Sequence, residues 1–319
     1  MMIKKWIFLC FLLIGILSLF SCTSNIGFFK NESVRLQYKY KKGDILKYKF
    51  TTIAKGTITM TELSTEDSST PPMKVEIKTE CVFTQRVIQI EEGGVANIEI
   101  SYDSFEQDIK PSIFGRKKEN PFFKFIPGQK FNIKVARDGF LLEINGIEEI
   151  FNQILDKIHE KPPDEVIREF KEEFEKNMII GIKEIYQRFP LEEMKVGDSW
   201  IREIDYQIPF GETTRVRYNY TIEEFKPINE LECVKLGIET MMNLGEIPPE
   251  LFLQQLNMPQ VEVKFKGGNA QGKGKMIIAY QEGRLINTDL RMNMNMQISD
   301  GEKEMAKIDF DIQTLVELQ

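Results

Sequence analysis

Met292, Met294 and Met296 alternate with Asn293, Asn295 and Gln297, which places three thioethers on one face of a strand. Thioethers can bind Cu(I), and they also adapt to irregular apolar shapes. Because Leu290 and Ile298 continue the same face, the plain expectation is a packed sheet surface. A concave version of it, with Met276 and Met258 nearby, would suit an acyl chain or a varied apolar partner. A second candidate, Gly267 to Lys273, matches the GxxxxGK part of a phosphate-binding loop, but Gly274 stands where a Ser or Thr would hold magnesium. Met276 to Tyr280 then reads as strand, so no helix N-terminus faces a phosphate, and a glycine-rich hairpin entry is expected.

His159 is the only histidine, which excludes sites built from two imidazoles. It falls at the end of a helical stretch, where a cation complements the dipole. No GxSxG elbow exists, and acidic residues are too numerous for sequence to select a catalytic pair. Asp44 and Asp198 recur in equivalent Gly-Asp turns, where an Asp bonding nearby backbone suffices as explanation. No catalytic, cofactor-binding or metal-binding residue is therefore assigned, and a non-enzymatic protein is expected.

The first 22 residues combine Lys4 and Lys5, an apolar run from Trp6 to Phe20, and the small Ser21 before Cys22. The lysines hold the N-terminus on the cytoplasmic side while the run enters the translocon. Leu19-Phe20-Ser21-Cys22 resembles the lipobox of bacterial lipoproteins, although Phe20 is larger than the residue usual there. The resemblance implies cleavage after a signal peptide of residues 1–21, acylation of Cys22 (diacylglyceryl and palmitate-type chains) and membrane attachment through that residue. An uncleaved transmembrane anchor is the competing reading, since the run is near the minimum of about 17 residues needed to span. Either way the body lies outside the cytoplasm. Thr23, in place of an Asp, favours the outer membrane of a two-membrane cell, on its periplasmic face or at the surface.

Removing Lys4 and Lys5 takes the formal net charge from -7 to -9, which argues against nucleic-acid partners. Of four cysteines, Cys10 leaves with the signal and Cys22 is consumed by lipid. Cys81 and Cys233 remain, each in an apolar alternating stretch, and they are compatible with a disulfide or with two buried thiols.

Residues 22–33 read as the lipidated cysteine and a polar tether. From there period-two alternation dominates: Tyr38, Tyr40; Leu46, Tyr48, Phe50; Ile98, Ile100, Tyr102; Phe131, Ile133, Val135; Ile308, Phe310, Ile312. That is antiparallel sheet with one wet face. Gly93-Gly94, Asp138-Gly139, Glu282-Gly283 and Asp300-Gly301 supply the turns. Ile147, Ile150, Phe151, Ile154, Leu155 and Ile158 form one helical stripe, Pro162-Pro163 stops it, and a second helix runs from Asp164 toward Phe189-Pro190. Phe122, Phe123 and Phe125 beside Arg116, Lys117 and Lys118 read as a loop packed over a sheet edge or open to a partner, and Pro248 to Met258 as a short capping helix.

The chain also repeats itself. Lys42-Gly43-Asp44 and Val196-Gly197-Asp198 each open a strand, and late strands in both halves end in an acid-Gly pair. The expected class is α+β: mostly antiparallel sheet in two similar β-rich halves, 34–146 and 190–319, arranged as a half-barrel or duplicated sandwich around a helical hairpin at 147–189. This punctuation resembles that of an uncharacterised family of bacterial lipoproteins. In shape it is loosely similar to the half-barrel LolA and LppX carriers. That likeness is of shape only; the reading adopted is a membrane-anchored cell-envelope protein that binds an apolar ligand, a lipid or lipoprotein acyl chain, in a concave sheet. The alternative is a scaffold recruiting envelope proteins through loops such as 110–127.

Overall fold

The computed structural model describes residues 33–60, 71–110, 123–158, 164–207, 213–244, 264–300 and 303–319. Eleven strands join in one antiparallel sheet: β1 (Ile45–Met60), β2 (Met73–Ile90), β3 (Ala96–Lys110), β4 (Lys130–Val135), β5 (Leu141–Asn145), β6 (Ser199–Gln207), β7 (Thr213–Ile228), β8 (Leu231–Leu244), β9 (Lys264–Ala279), β10 (Arg284–Asp300) and β11 (Lys303–Leu318). Their order is β5-β4-β3-β2-β1-β11-β10-β9-β8-β7-β6. Two meanders are thus sewn together where β1 pairs with β11, from Tyr48↔Leu318 to Met60↔Ala306. The α+β class read from the alternation is the one adopted. The sheet is single and open, so the duplicated sandwich is set aside. Helices α1 (Ile147–Asp156) and α2 (Asp164–Ile185) link the two meanders.

The two-residue period sorts each strand into two faces. The inner face carries Tyr48, Phe83, Ile98, Ile133, Tyr220, Leu236 and Met276, all buried in one contiguous core. The outer face carries cross-strand ion pairs such as Lys49–Glu80 (2.8 Å), Lys47–Asp103 (2.9 Å) and Lys273–Glu239 (2.9 Å). Exposed pairs of this kind contribute little each, but they keep the outer face wet and set register against slippage.

The repeated turns are alike in their hydrogen bonds. Lys41 N–H donates to Asp44 Oδ2 at 2.8 Å, and Lys195 N–H to Asp198 Oδ2 at 2.9 Å. Gly43 and Gly197 take φ of 88° and 91°, a region where a β-carbon is strained. Each turn then ties to the following hairpin: Gly43 N–H to the Val87 carbonyl and Gly197 N–H to the Ile222 carbonyl, both 2.9 Å.

The alternation at Tyr38 and Tyr40 reads as strand, yet residues 35–40 form no ladder. Their bonds go to scattered partners: Val34 pairs with Met194, Tyr38 N–H donates to the Arg137 carbonyl (2.7 Å), and Lys39 N–H to Gly283 O (3.3 Å). A β-carbon on Gly139 or Gly283 would strike this neighbourhood, at 2.0 Å from the Gln187 carbonyl and 2.3 Å from Lys39 N respectively. The Gly139 turn therefore clamps the chain leaving α2, and the Gly283 turn clamps the segment that leads to β1.

In α1, Ile147, Ile150, Phe151 and Ile154 are buried on the expected stripe. Helix α2 ends at Ile185, four residues short of the expected Phe189-Pro190 stop. There Gln187 N–H donates to the Tyr38 hydroxyl (3.0 Å) and Phe189 N–H to the Asp138 carbonyl (2.7 Å), bonds that replace the helical ones.

Candidate functional site

The methionine stripe occupies the inner face of β10. Met292, Met294 and Met296 oppose Ile312, Phe310 and Ile308 of β11 on one side, and Gly272, Ala270 and Gly268 of β9 on the other. Gly274 continues the small row opposite Leu290. The segment expected to be a glycine-rich hairpin entry is instead the interior of β9, and its small residues recur every second position on the inner face. The reason is steric. A β-carbon on Gly272 would lie 2.4 Å from Met292 Cγ, and one on Gly268 3.1 Å from Met296 Cγ. Met292 and Met296 lean sideways over glycines that leave room for them, while Met294 faces the small Ala270. Phe310 does the same over Gly56 of β1, where a β-carbon would lie 2.5 Å from its ring.

Side chains lying flat lower the inner face over β9, β10, β11 and β1. All three methionines are half-buried. The principal helix contacts fall on the flanks, α1 on β4 and α2 on β6. A cleft of about 620 Å³ lies instead on the outer face of the same strands, where Lys55, Thr57, Lys74, Glu76, Asn293, Asn295, Asp309 and Asp311 flank the row Val75–Gly56–Phe310–Met294. Met276 and Met242 share the inner face, opposite Leu236 and Ala270. Thr240 and Thr288 are buried there too, with Oγ1 atoms that have no hydrogen-bond partner. Such hydroxyls can serve a polar group arriving with an apolar ligand. Met258 lies outside the described residues, as do Cys22, His159, Arg116 to Lys118 and the Pro248 to Met258 stretch.

A buried polar lock sits where the end of α2 meets β6 and β7. Gln187 Oε1 accepts from the Tyr220 hydroxyl and from Arg202 Nη1, each at 2.5 Å, while Arg202 Nη2 donates to the Lys183 carbonyl at 2.6 Å. Burial pushes the phenols of Tyr38, Tyr40, Tyr48, Tyr102, Tyr186 and Tyr220 above their ordinary value, so they stay neutral donors. The arrangement holds α2 against β6 and β7 and offers no nucleophile.

Cys81 and Cys233 are free and buried. Cys81 shares the inner face with Phe50, whereas Cys233 sits beside Val234 and so points outward, which rules out a bond between them. Burial and the nearby Asp103 carboxylate push the Cys81 thiol up to about 12. Among the described residues, no three or more His, Cys, Asp or Glu side chains gather as a metal site. Among them also, no helix is long and apolar enough to cross a membrane.

A second cleft, about 610 Å³, opens between the two sheet edges. Sequence reasoning missed it. Phe140 and Leu141 come from the entry to β5, Trp200 to Asp205 from β6, and residues 186–192 bridge them. The Arg188 guanidinium carbon lies 4.7 Å from the Phe140 ring centre, and its Nε is 3.4 Å from Asp138 Oδ2. No single run carries a signal for this cleft, because its walls come from three separate segments.

No curated protein matches the chain. A solved structure titled as lipid–protein interactions in lipovitellin is similar at a TM-score of 0.46 with 8% identity, over 88% of this chain and 25% of that one. The chain thus spans about a quarter of that structure's length. Residues 92–228, which run from the turn before β3 to the end of β7, match the model of a family of unknown function (DUF6263).

Proposed function

We propose that this chain is a lipid-anchored protein of the cell envelope, without chemistry of its own, which holds an apolar ligand such as a lipid acyl chain on the inner face of its sheet. The observation that carries the reading is the juxtaposition of Met292, Met294 and Met296 with the Gly268–Gly274 row. Flexible thioethers beside a row of small residues, Gly268, Ala270, Gly272 and Gly274, make a surface that deforms to an acyl chain without polar cost. The orphaned Thr240 and Thr288 hydroxyls provide polar points at its border. The apolar run and Ser21-Cys22 at the N-terminus support an envelope address and attachment through Cys22.

The test is native mass spectrometry, with organic extraction, of the full chain purified from bacterial membranes. The expected result is a stoichiometric lipid that is lost when Met294 is replaced by Trp, while the lipids on the Cys22-containing peptide are unchanged. A clean protein mass with nothing extractable beyond the Cys22 acyl groups would overturn the ligand reading.

A further inference from the structure

The cleft between the sheet edges presents apolar side chains to the outside. Phe140 is 45% exposed, Leu191 69% and Ile201 52%, from three different stretches of chain. Large apolar groups gathered in this way mark a contact surface. Unpaired edges flanked by such groups are also an aggregation hazard unless something covers them. Arg188 stands over the Phe140 ring with its side chain exposed. The acidic Glu203 and Asp205 of β6 are held by Arg215 at 3.6 and 2.8 Å. Exposed Glu192 and Glu193 are accompanied by exposed Lys195 and Arg35.

The N-terminal chain leads to the same place. Val34 exchanges two 2.8 Å backbone hydrogen bonds with Met194, three residues from Leu191. Cys22 is 12 residues before Val34, a distance that extended chain covers in at most about 40 Å. We infer that the rim of this cleft, with Phe140, Leu191 and Ile201 as its apolar points and Arg188 as its phosphate contact, is the face that meets the phospholipid surface. The inference rests on the reading of Cys22 as a membrane attachment. Aromatic and aliphatic tips beside an arginine suit the boundary between headgroups and acyl chains. Docking there would cover both free edges and leave the methionine trough on the opposite strands of the sheet order.

The test places an environment-sensitive fluorophore on Leu191→Cys and, separately, on Ile201→Cys of the full chain. Met241→Cys, an exposed apolar position on β8, is the reference. The labelled chains are read in vesicles of phosphatidylethanolamine and phosphatidylglycerol containing a spin-labelled lipid. The expected result is several-fold quenching and a blue shift at Leu191 and Ile201, with Met241 unchanged. Leu191 and Ile201 signals equal to that of Met241 would overturn the inference. So would shielding of both that persists in detergent together with a doubled mass, because the face then pairs with a second copy. An alkaline carbonate wash reports the anchor separately: release of the chain removes the Cys22 reading, while the fluorescence still decides the face.

Discussion

Met292 lies flat over Gly272, its Cγ 2.4 Å from the point where a β-carbon on that glycine would stand. The same point is 2.6 Å from the Arg291 carbonyl and 2.7 Å from Thr240 Cγ2. A methyl group there has to displace backbone as well as side chain. Gly272→Ala should therefore destabilise the chain by about 1–3 kcal/mol, the cost of overpacking a filled contact. It should also lower lipid occupancy, because Met292 is pushed up into the trough. Gly181→Ala, in α2 with nothing within 4 Å, should instead stabilise by about 0.5–1 kcal/mol. Urea midpoints of the two variants moving in the same direction would contradict this account.

The Gln187 side chain joins Tyr220 and Arg202. Gln187→Leu leaves a buried hydroxyl and a guanidinium N–H without their acceptor and should cost about 3 kcal/mol. Tyr220→Phe leaves Gln187 bonded to Arg202 and should cost about 1 kcal/mol. In the double variant the two losses should fall short of additive, since one acceptor serves both donors. Full additivity in urea unfolding would mean that the lock is not shared.

Alkaline pH should unfold the chain cooperatively. The buried tyrosines and Cys81 all have folded values above their ordinary ones because burial penalises the anion. Their contribution to stability is complete below the unfolded values, about 8.5 for Cys and about 10 for Tyr. It drains away as pH rises from there through the folded values, because only the unfolded chain ionises readily. Phenolate absorbance should then appear as a late, sharp step together with loss of near-ultraviolet circular dichroism. A gradual titration centred near pH 10 with the fold intact would show the phenols to be wet.

The two Gly-Asp turns make the same bonds at the entries to β1 and β6. Asp44→Ala and Asp198→Ala should each cost about 1 kcal/mol, the net worth of one such hydrogen bond. Five strands of the sheet separate β1 from β6, so the effects should add in the double variant. A marked inequality, measured as shifts in the urea midpoint, would mean that the turns are alike only in outline.

Much of the fold was legible because sheet and helix write their periods into sequence. Leu46, Tyr48 and Phe50 on β1, the Ile147 to Ile154 stripe of α1 and the Gly43 and Gly197 turns are local consequences of residue type. Tyr38 and Tyr40 misled for the same reason: alternation marks extended chain but says nothing about whether a ladder partner exists. The Gly268–Gly274 row read as a hairpin entry, because its place inside β9 shows only once Met292 is seen across the strand boundary.

By itself the sequence determined which residues face inward, where the turns fall, and that an antiparallel sheet surrounds a helical pair, because these follow from backbone stereochemistry and short-range burial. Only the tertiary structure decided that β1 pairs with β11 in a single open sheet. It also decided that Cys81 and Cys233 point to opposite faces, and that Phe140, Leu191 and Ile201 meet at one cleft. Those outcomes depend on pairing between residues far apart along the chain. Such pairing is selected by the total burial and hydrogen bonding of the complete fold, a quantity that no local stretch contains.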